Sequence, residues 1–196
     1  MKKARKPFDE TDKKLISLLY KDGRANLTDL SKKLGISHVA VRKRLDRLIG
    51  ANLLRIRELI NLKKIGARIV VFLVEVKDPK VMIEIRKMLE DCPRVLTVLT
   101  LMGRCNLLVL MIAEDEKALE SMASICCLRR AKGIEKIEIM ISEELIMPEY
   151  FPVKLRNPEL RGEKPPCGLV NCMICPRFKE NKCPGCPAIK YYKGVL

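Results

Sequence analysis

Apolar residues recur at two different periods along this chain, and the switch between them divides it. Over residues 10–50 the spacing is helical. Leu15, Ile16, Leu18 and Leu19 make the face of a first helix that begins after Asp9. Asp9 can cap that helix, Glu10 and Asp12 favour its first turn, and Lys21-Asp22-Gly23 ends it. Leu27, Leu30 and Leu34 mark a second helix. Gly35 can take the left-handed conformation that closes it, and Ser37 can cap a third helix with Val41, Leu45 and Leu48 inward. That leaves His38, Val39, Arg42, Lys43 and Arg47 outward. Two helices, a tight glycine turn and a basic outer face are the layout of a helix-turn-helix, whose second helix enters the DNA major groove. A helical hairpin with a solvated basic face shares the period, but the cationic density and the short turn favour DNA.

Beyond Gly50 the period shortens. Leu53 to Leu59 alternates apolar and charged residues, as a half-buried strand does. A strand pair after the recognition helix is a wing, and Arg55 and Arg57 then either reach phosphates or face water. From Ala67 the pattern predicts a strand at Ile69–Val76, a helix at Pro79–Asp91 and strands at Val95–Leu101 and Leu107–Ile112. A second helix at Asp115–Leu128 and a strand at Ile134–Ile141 follow. Strand, helix, strand, strand, helix, strand is the ferredoxin-like arrangement, one antiparallel sheet with two helices on one face. Its bare face calls for a cover, and a second copy in a homodimer is the commonest one. Five prolines within residues 147–166 then read as an extended connector. The fold class is therefore α+β. A winged helix-turn-helix is expected at 1–62, a ferredoxin-like domain at 63–146, a linker at 147–166 and a cysteine-rich module at 167–196.

Charge sharpens this division. Residues 1–60 hold 16 Lys and Arg against 7 Asp and Glu, residues 61–150 hold 14 of each, and residues 151–196 hold 9 against 3. A basic head and a basic tail around a neutral middle suit contact with nucleic acid, because phosphate neutralisation releases counterions. The longest apolar run, Leu107–Ala113, is too short to span a bilayer, and no signal-peptide apolar region follows Met1–Lys6. A cytoplasmic protein with no membrane partner is expected.

Nine cysteines in such a chain point to metal or redox chemistry before disulfides. Five cluster in the tail as Cys167-x4-Cys172-x2-Cys175-x7-Cys183-x2-Cys186. Two C-x-x-C knuckles present four thiolates, enough for a structural zinc site, and bound metal would fold a segment too short for its own core. Cys167 is a fifth thiol, and C-x4-C-x2-C followed by another Cys also fits an iron–sulfur cluster. Cys92 ends a helix, Cys105 lies in a turn, and Cys126 or Cys127 is expected as a small buried hydrophobe.

The order of these elements resembles the Lrp/AsnC family of prokaryotic transcription regulators. Phe8-Asp9-Glu10-Thr11-Asp12-Lys13-Lys14-Leu15-Ile16 is similar to the family's first helix, and Lys21-Asp22-Gly23-Arg24 to the loop after it. Leu34-Gly35-Ile36-Ser37 and Val41-Arg42-Lys43-Arg44-Leu45-Asp46-Arg47-Leu48 are similar to its turn and recognition helix. The resemblance implies a sequence-specific regulator bound to double-stranded DNA, with a domain that dimerises, assembles further up to octamers, and can take a small effector such as an amino acid. The family often carries Gly-Asp-x-Asp near the effector site. Here the turn is Gly103-Arg104-Cys105-Asn106, so Gly103, Arg104 and Asn106 are the effector-site candidates, and the loss of both carboxylates favours an anion or no ligand. A metal- or redox-responsive regulator, with DNA binding set by the cysteine tail, is the alternative function. Siroheme decarboxylases are related to the family, but one histidine, His38, and no conspicuous acid–base pair lead to no expected enzymatic activity.

Overall fold

Asp9 starts the first helix through a reciprocal cap. Its carboxylate accepts the Asp12 backbone N–H, and the Asp12 carboxylate accepts the Asp9 N–H. The computed structural model describes residues 7–196. Helix α1 (Glu10–Lys21) is followed by α2 (Leu27–Leu34), which ends at Gly35 with φ +66°, and by α3 (His38–Gly50), capped by Ser37. The three predicted stripes meet: Leu15, Leu19, Leu30, Val41 and Leu48 are buried together, with Leu27, Leu34 and Leu45 around them. These helices belong to a compact unit that ends at Glu58.

A second compact unit, Leu59–Leu196, contains everything else. Its elements are β1 (Ile60–Asn61), β2 (Arg68–Val76), α4 (Pro79–Glu90), β3 (Val95–Thr100), β4 (Leu107–Ala113), α5 (Glu116–Ile125), α6 (Cys127–Arg130), β5 (Ile134–Ile141), β6 (Tyr150–Phe151) and α7 (Pro176–Lys179). The main sheet has the order β3-β4-β2-β5, with every neighbour antiparallel. That is the predicted ferredoxin-like topology. Along β2, Val70, Phe72, Val74 and Val76 point into the core shared with α4 and α5, and the alternate residues stay half-exposed.

Three expectations need correction. No wing follows α3: residues 54–59 form no strand. Alternation makes a strand possible, but only hydrogen bonding to a partner makes one, and the short ladder nearby pairs β1 with β6 instead. The helix predicted to run unbroken from Asp115 to Leu128 is interrupted at Cys126, whose backbone is extended (φ −58°, ψ 160°). Nor is the stretch 147–166 a free connector between separate bodies. It holds β6, a turn of 3-10 helix at Pro158–Leu160, and a bridge from Gly162 to Ile189, all inside the second unit. Val153 and Leu196 share a core with Leu62, Ala67 and Ile112.

In the helical unit, Asp12 is buried and lies 2.8 Å from Arg44 Nη1 and 2.5 Å from Arg47 Nη2. Burial by itself would raise its pKa. The Asp9 backbone N–H and the Arg47 and Arg44 guanidiniums outweigh burial and hold the carboxyl down at about 2. A depressed folded-state pKa stabilises the fold above the unfolded-state value and loses that contribution as pH falls through the folded one. Thermal melts should therefore show the Asp12→Asn variant about 2 kcal/mol less stable than the parent at neutral pH, below the cost at fully enclosed pairs because both arginines reach solvent. The gap should hold down to the ordinary carboxylate range and close as pH falls toward 2.

Candidate DNA interface and cysteine cluster

Local geometry positions α3 from both sides. Gly35 turns the chain, and the Ser37 hydroxyl accepts the Ala40 N–H at 3.2 Å, so Ser37 acts first as a cap. Val41 and Leu48 anchor the inner side. His38, Val39, Arg42 and Lys43 stand exposed on the outer side, with Val39 60% exposed. Arg42 and Lys43 have no ion-pair partner among the described residues.

Arg47 is also exposed, yet its guanidinium is held by Asp12. It joins Arg44, bonded to both Asp9 and Asp12, in a network that locks α3 onto α1. Helical spacing identified Arg47 as outward-facing but could not show an acid from another helix beneath it. Arg55 and Arg57 are exposed on the irregular segment after α3, not on a wing.

At the β3–β4 turn the three effector-site candidates separate. Gly103 (φ +149°) shapes the turn, and Arg104 is exposed with Nε 3.4 Å from Glu75 Oε2. Asn106 is committed to the backbone: its Oδ1 accepts the Val76 N–H at 3.0 Å and its Nδ2 donates to the Val76 carbonyl at 2.7 Å. Its amide therefore pins the turn to β2 and is not free for a ligand.

The five tail cysteines border one cavity, and among the described residues no three of them surround a common point. Cys172 is buried, and Cys167, Cys175, Cys183 and Cys186 are half-buried. Gly185, at φ +90°, makes the turn inside Cys183-Pro184-Gly185-Cys186, where a Cβ would come within 2.8 Å of the Phe178 ring. The Gly185 N–H donates to Cys183 Sγ at 3.4 Å. The Cys183–Cys186 turn is fastened to the sheet domain by Arg94, whose Nη2 donates to the Gly185 carbonyl at 3.0 Å while its Nε meets Glu114 at 3.0 Å. Tyr192 O–H donates to the same Glu114 at 2.8 Å. Arg177 reaches Ser121 and Glu120 of α5. Three cysteines outside the tail, Cys92, Cys126 and Cys127, border the same cavity, a placement that the sequence signalled only through the unmatched Cys167.

A three-helix head with a free basic helix face, followed by a ferredoxin-like sheet, defines a DNA-binding transcription regulator. Residues 8–49 match the AsnC-type helix-turn-helix domain. The chain is 32% identical over 120 residues to the HTH-type transcriptional regulator LrpA of Pyrococcus horikoshii, covering 60% of this chain and 84% of the relative. It is 27% identical over 139 residues to the regulator FL11 of the same organism, covering 70% of this chain and 90% of that one. In fold it is similar to AsnC of E. coli, with a TM-score of 0.63 and 19% identity over 72% of this chain and 96% of that one. A Neisseria meningitidis transcriptional regulator in complex with L-Met superposes with a TM-score of 0.64 and 19% identity over 72% of this chain and 93% of that one. The chain belongs to the Lrp/AsnC family and is a helix-turn-helix transcriptional regulator of that type. None of these likenesses supports a metal- or redox-responsive regulator. No helix among the described residues is long and apolar enough to cross a membrane.

Arg94→Met keeps the bulk of the side chain but removes the tie to Gly185 and leaves Glu114 buried without its cation. The second unit should lose about 3 kcal/mol. Hydrogen exchange should show the faster opening concentrated in residues 183–193, with the helices α1–α3 unchanged.

Proposed function

We propose that the protein reads double-stranded DNA as a homodimer, with the outer face of α3 in the major groove. The observation that carries this is the exposed set His38, Val39, Arg42 and Lys43 on a helix whose other side is the buried core of its unit. Arg42 and Lys43 supply cationic contacts, and His38 and Val39 are placed to meet base edges. Arg55 and Arg57 add charge from the segment after α3. Arg47 contributes chiefly by holding α3 on α1. A two-fold dimer calls for two half-sites separated by one or more helical turns.

Double replacement Arg42→Ala and Lys43→Ala should lower affinity on the order of tenfold per residue and reduce the slope of log K against log salt by about 2. Unchanged binding at every salt concentration would remove α3 from the interface.

The second copy is proposed to cover the open face of the sheet. On that face Val71 lies opposite Leu110 and Met140, and Leu73 opposite Leu108. Leu108 in turn faces Leu99, which is 48% exposed, as Met140 is 49%. An apolar sheet face of this extent is a surface for association. Leu73→Asp puts a charge at its centre. Sedimentation of the full chain should then show monomer where the parent is a dimer or a larger assembly built from dimers.

Among small effectors, an anion facing Arg104 is the form that suits the β3–β4 turn, since Asn106 is occupied by Val76. For the tail we propose a zinc bound by Cys172, Cys175, Cys183 and Cys186. The supporting features are the two C-x-x-C pairs, the Gly185 turn with its N–H on Cys183, and a local core limited to Cys172, Phe178 and Ile189. A segment with so few buried residues gains its stability from bound metal and from Arg94.

A further inference from the structure

Eight of the nine cysteines border one cavity, and only Cys105 lies elsewhere. Four of the eight make up the tail knuckles. The other four arrive from three distant parts of the chain: Cys92 just after α4, Cys126 and Cys127 at the break between α5 and α6, and Cys167 ahead of the knuckles. Small hydrophobes scattered through a core have no reason to converge in this way.

Within this second set, Cys126 and Cys127 are in direct contact. Their sulfurs are 3.7 Å apart, and Cys92 and Cys167 border the cavity beside them. Zinc–sulfur bonds of about 2.3 Å set the sulfurs of a tetrahedral site about 3.8 Å apart. Apolar neighbours such as Met111, Ala118 and Met122 keep the site dry, and the buried Arg94 guanidinium supplies positive charge beside it.

We propose that Cys92, Cys126, Cys127 and Cys167 form a second four-thiolate site for a soft metal, next to the knuckle site but separate from it. Cys167 is then not a surplus tail ligand but the strand of the tail that closes a site on the sheet domain. No three of the described Cys, His, Asp or Glu side chains yet surround a common point as the ligands of one ion do. Metal binding replaces four S–H bonds with metal–sulfur bonds, and each thiol proton passes to water with no change of oxidation state.

The test is the metal content of the full chain purified without oxygen, read by elemental analysis and visible absorbance. The expected result is two zinc ions per chain, falling to one in Cys127→Ala and in Cys167→Ala, and staying at two in Cys105→Ala. Cys167 lies in a half-exposed turn, so its variant keeps the question answerable if the buried Cys127 change prevents folding. Iron and sulfide in place of zinc, lost with the same two substitutions, would support the site and make its occupant an iron–sulfur cluster. Cys183→Ala separates the two centres. If it removes metal while Cys127→Ala and Cys167→Ala remove none, the knuckle reading stands and the second site is overturned. If the reverse holds, the second site stands without the knuckle.

Discussion

The buried pair Arg94–Glu114 is the contact on which the second unit turns. Both side chains are nearly closed off from solvent, and such a pair is costly to bury unless every donor and acceptor is used. Here the tail supplies partners to both. Arg94 Nη2 also donates to the Gly185 carbonyl, and Glu114 accepts from Tyr192. Tyr192 in turn accepts the Leu196 N–H and lies under the Arg161 guanidinium, whose Nη2 donates to the Leu196 carbonyl. Without the tail the ion pair would lose its hydrogen bonds to Gly185 and Tyr192. Without the ion pair, the cysteine-rich tail would rest on the few buried residues around Phe178. Each makes the other tolerable.

What was legible in the sequence was what depends on near neighbours. Asp9, Gly35 and Ser37 mark helix ends because their chemistry acts within three residues, and all three do so in the structure. The four main strands and α4 follow from period alone. Leu53–Leu59 carries an equally good strand period but lacks a partner, and periodicity holds no information on partners. Cys126 shows the complementary failure: the apolar spacing continues through it while the backbone does not.

The candidate site divides along the same line. His38, Val39, Arg42 and Lys43 were readable as an exposed face because a helix exposes whatever it does not bury. Arg47 looked identical in the sequence, and only the fold of α1 beneath α3 distinguishes it. In sequence Asn106 belongs to a turn that can meet a ligand, whereas its amide matches both backbone groups of Val76, thirty residues away. Polar side chains with two complementary hydrogen-bonding groups are the ones most easily absorbed by such long-range pairing.

The cysteines carry this reasoning furthest. Spacing singles out the pairs 172/175 and 183/186 because a C-x-x-C pair is local, and it offers Cys167 only as a fifth thiol or an iron–sulfur ligand. Cys92, Cys126 and Cys127 gave no local signal at all, since a single buried thiol is also an ordinary small core residue. Their common destination depends on the break after α5, on the end of α4 and on the attachment of the tail through Arg94. The residues after β5 do not hang from the sheet domain as a separate body; they lie in the same compact unit. They complete the hydrogen bonding of the domain's ion pair and bring Cys167 to the cavity bordered by Cys92, Cys126 and Cys127.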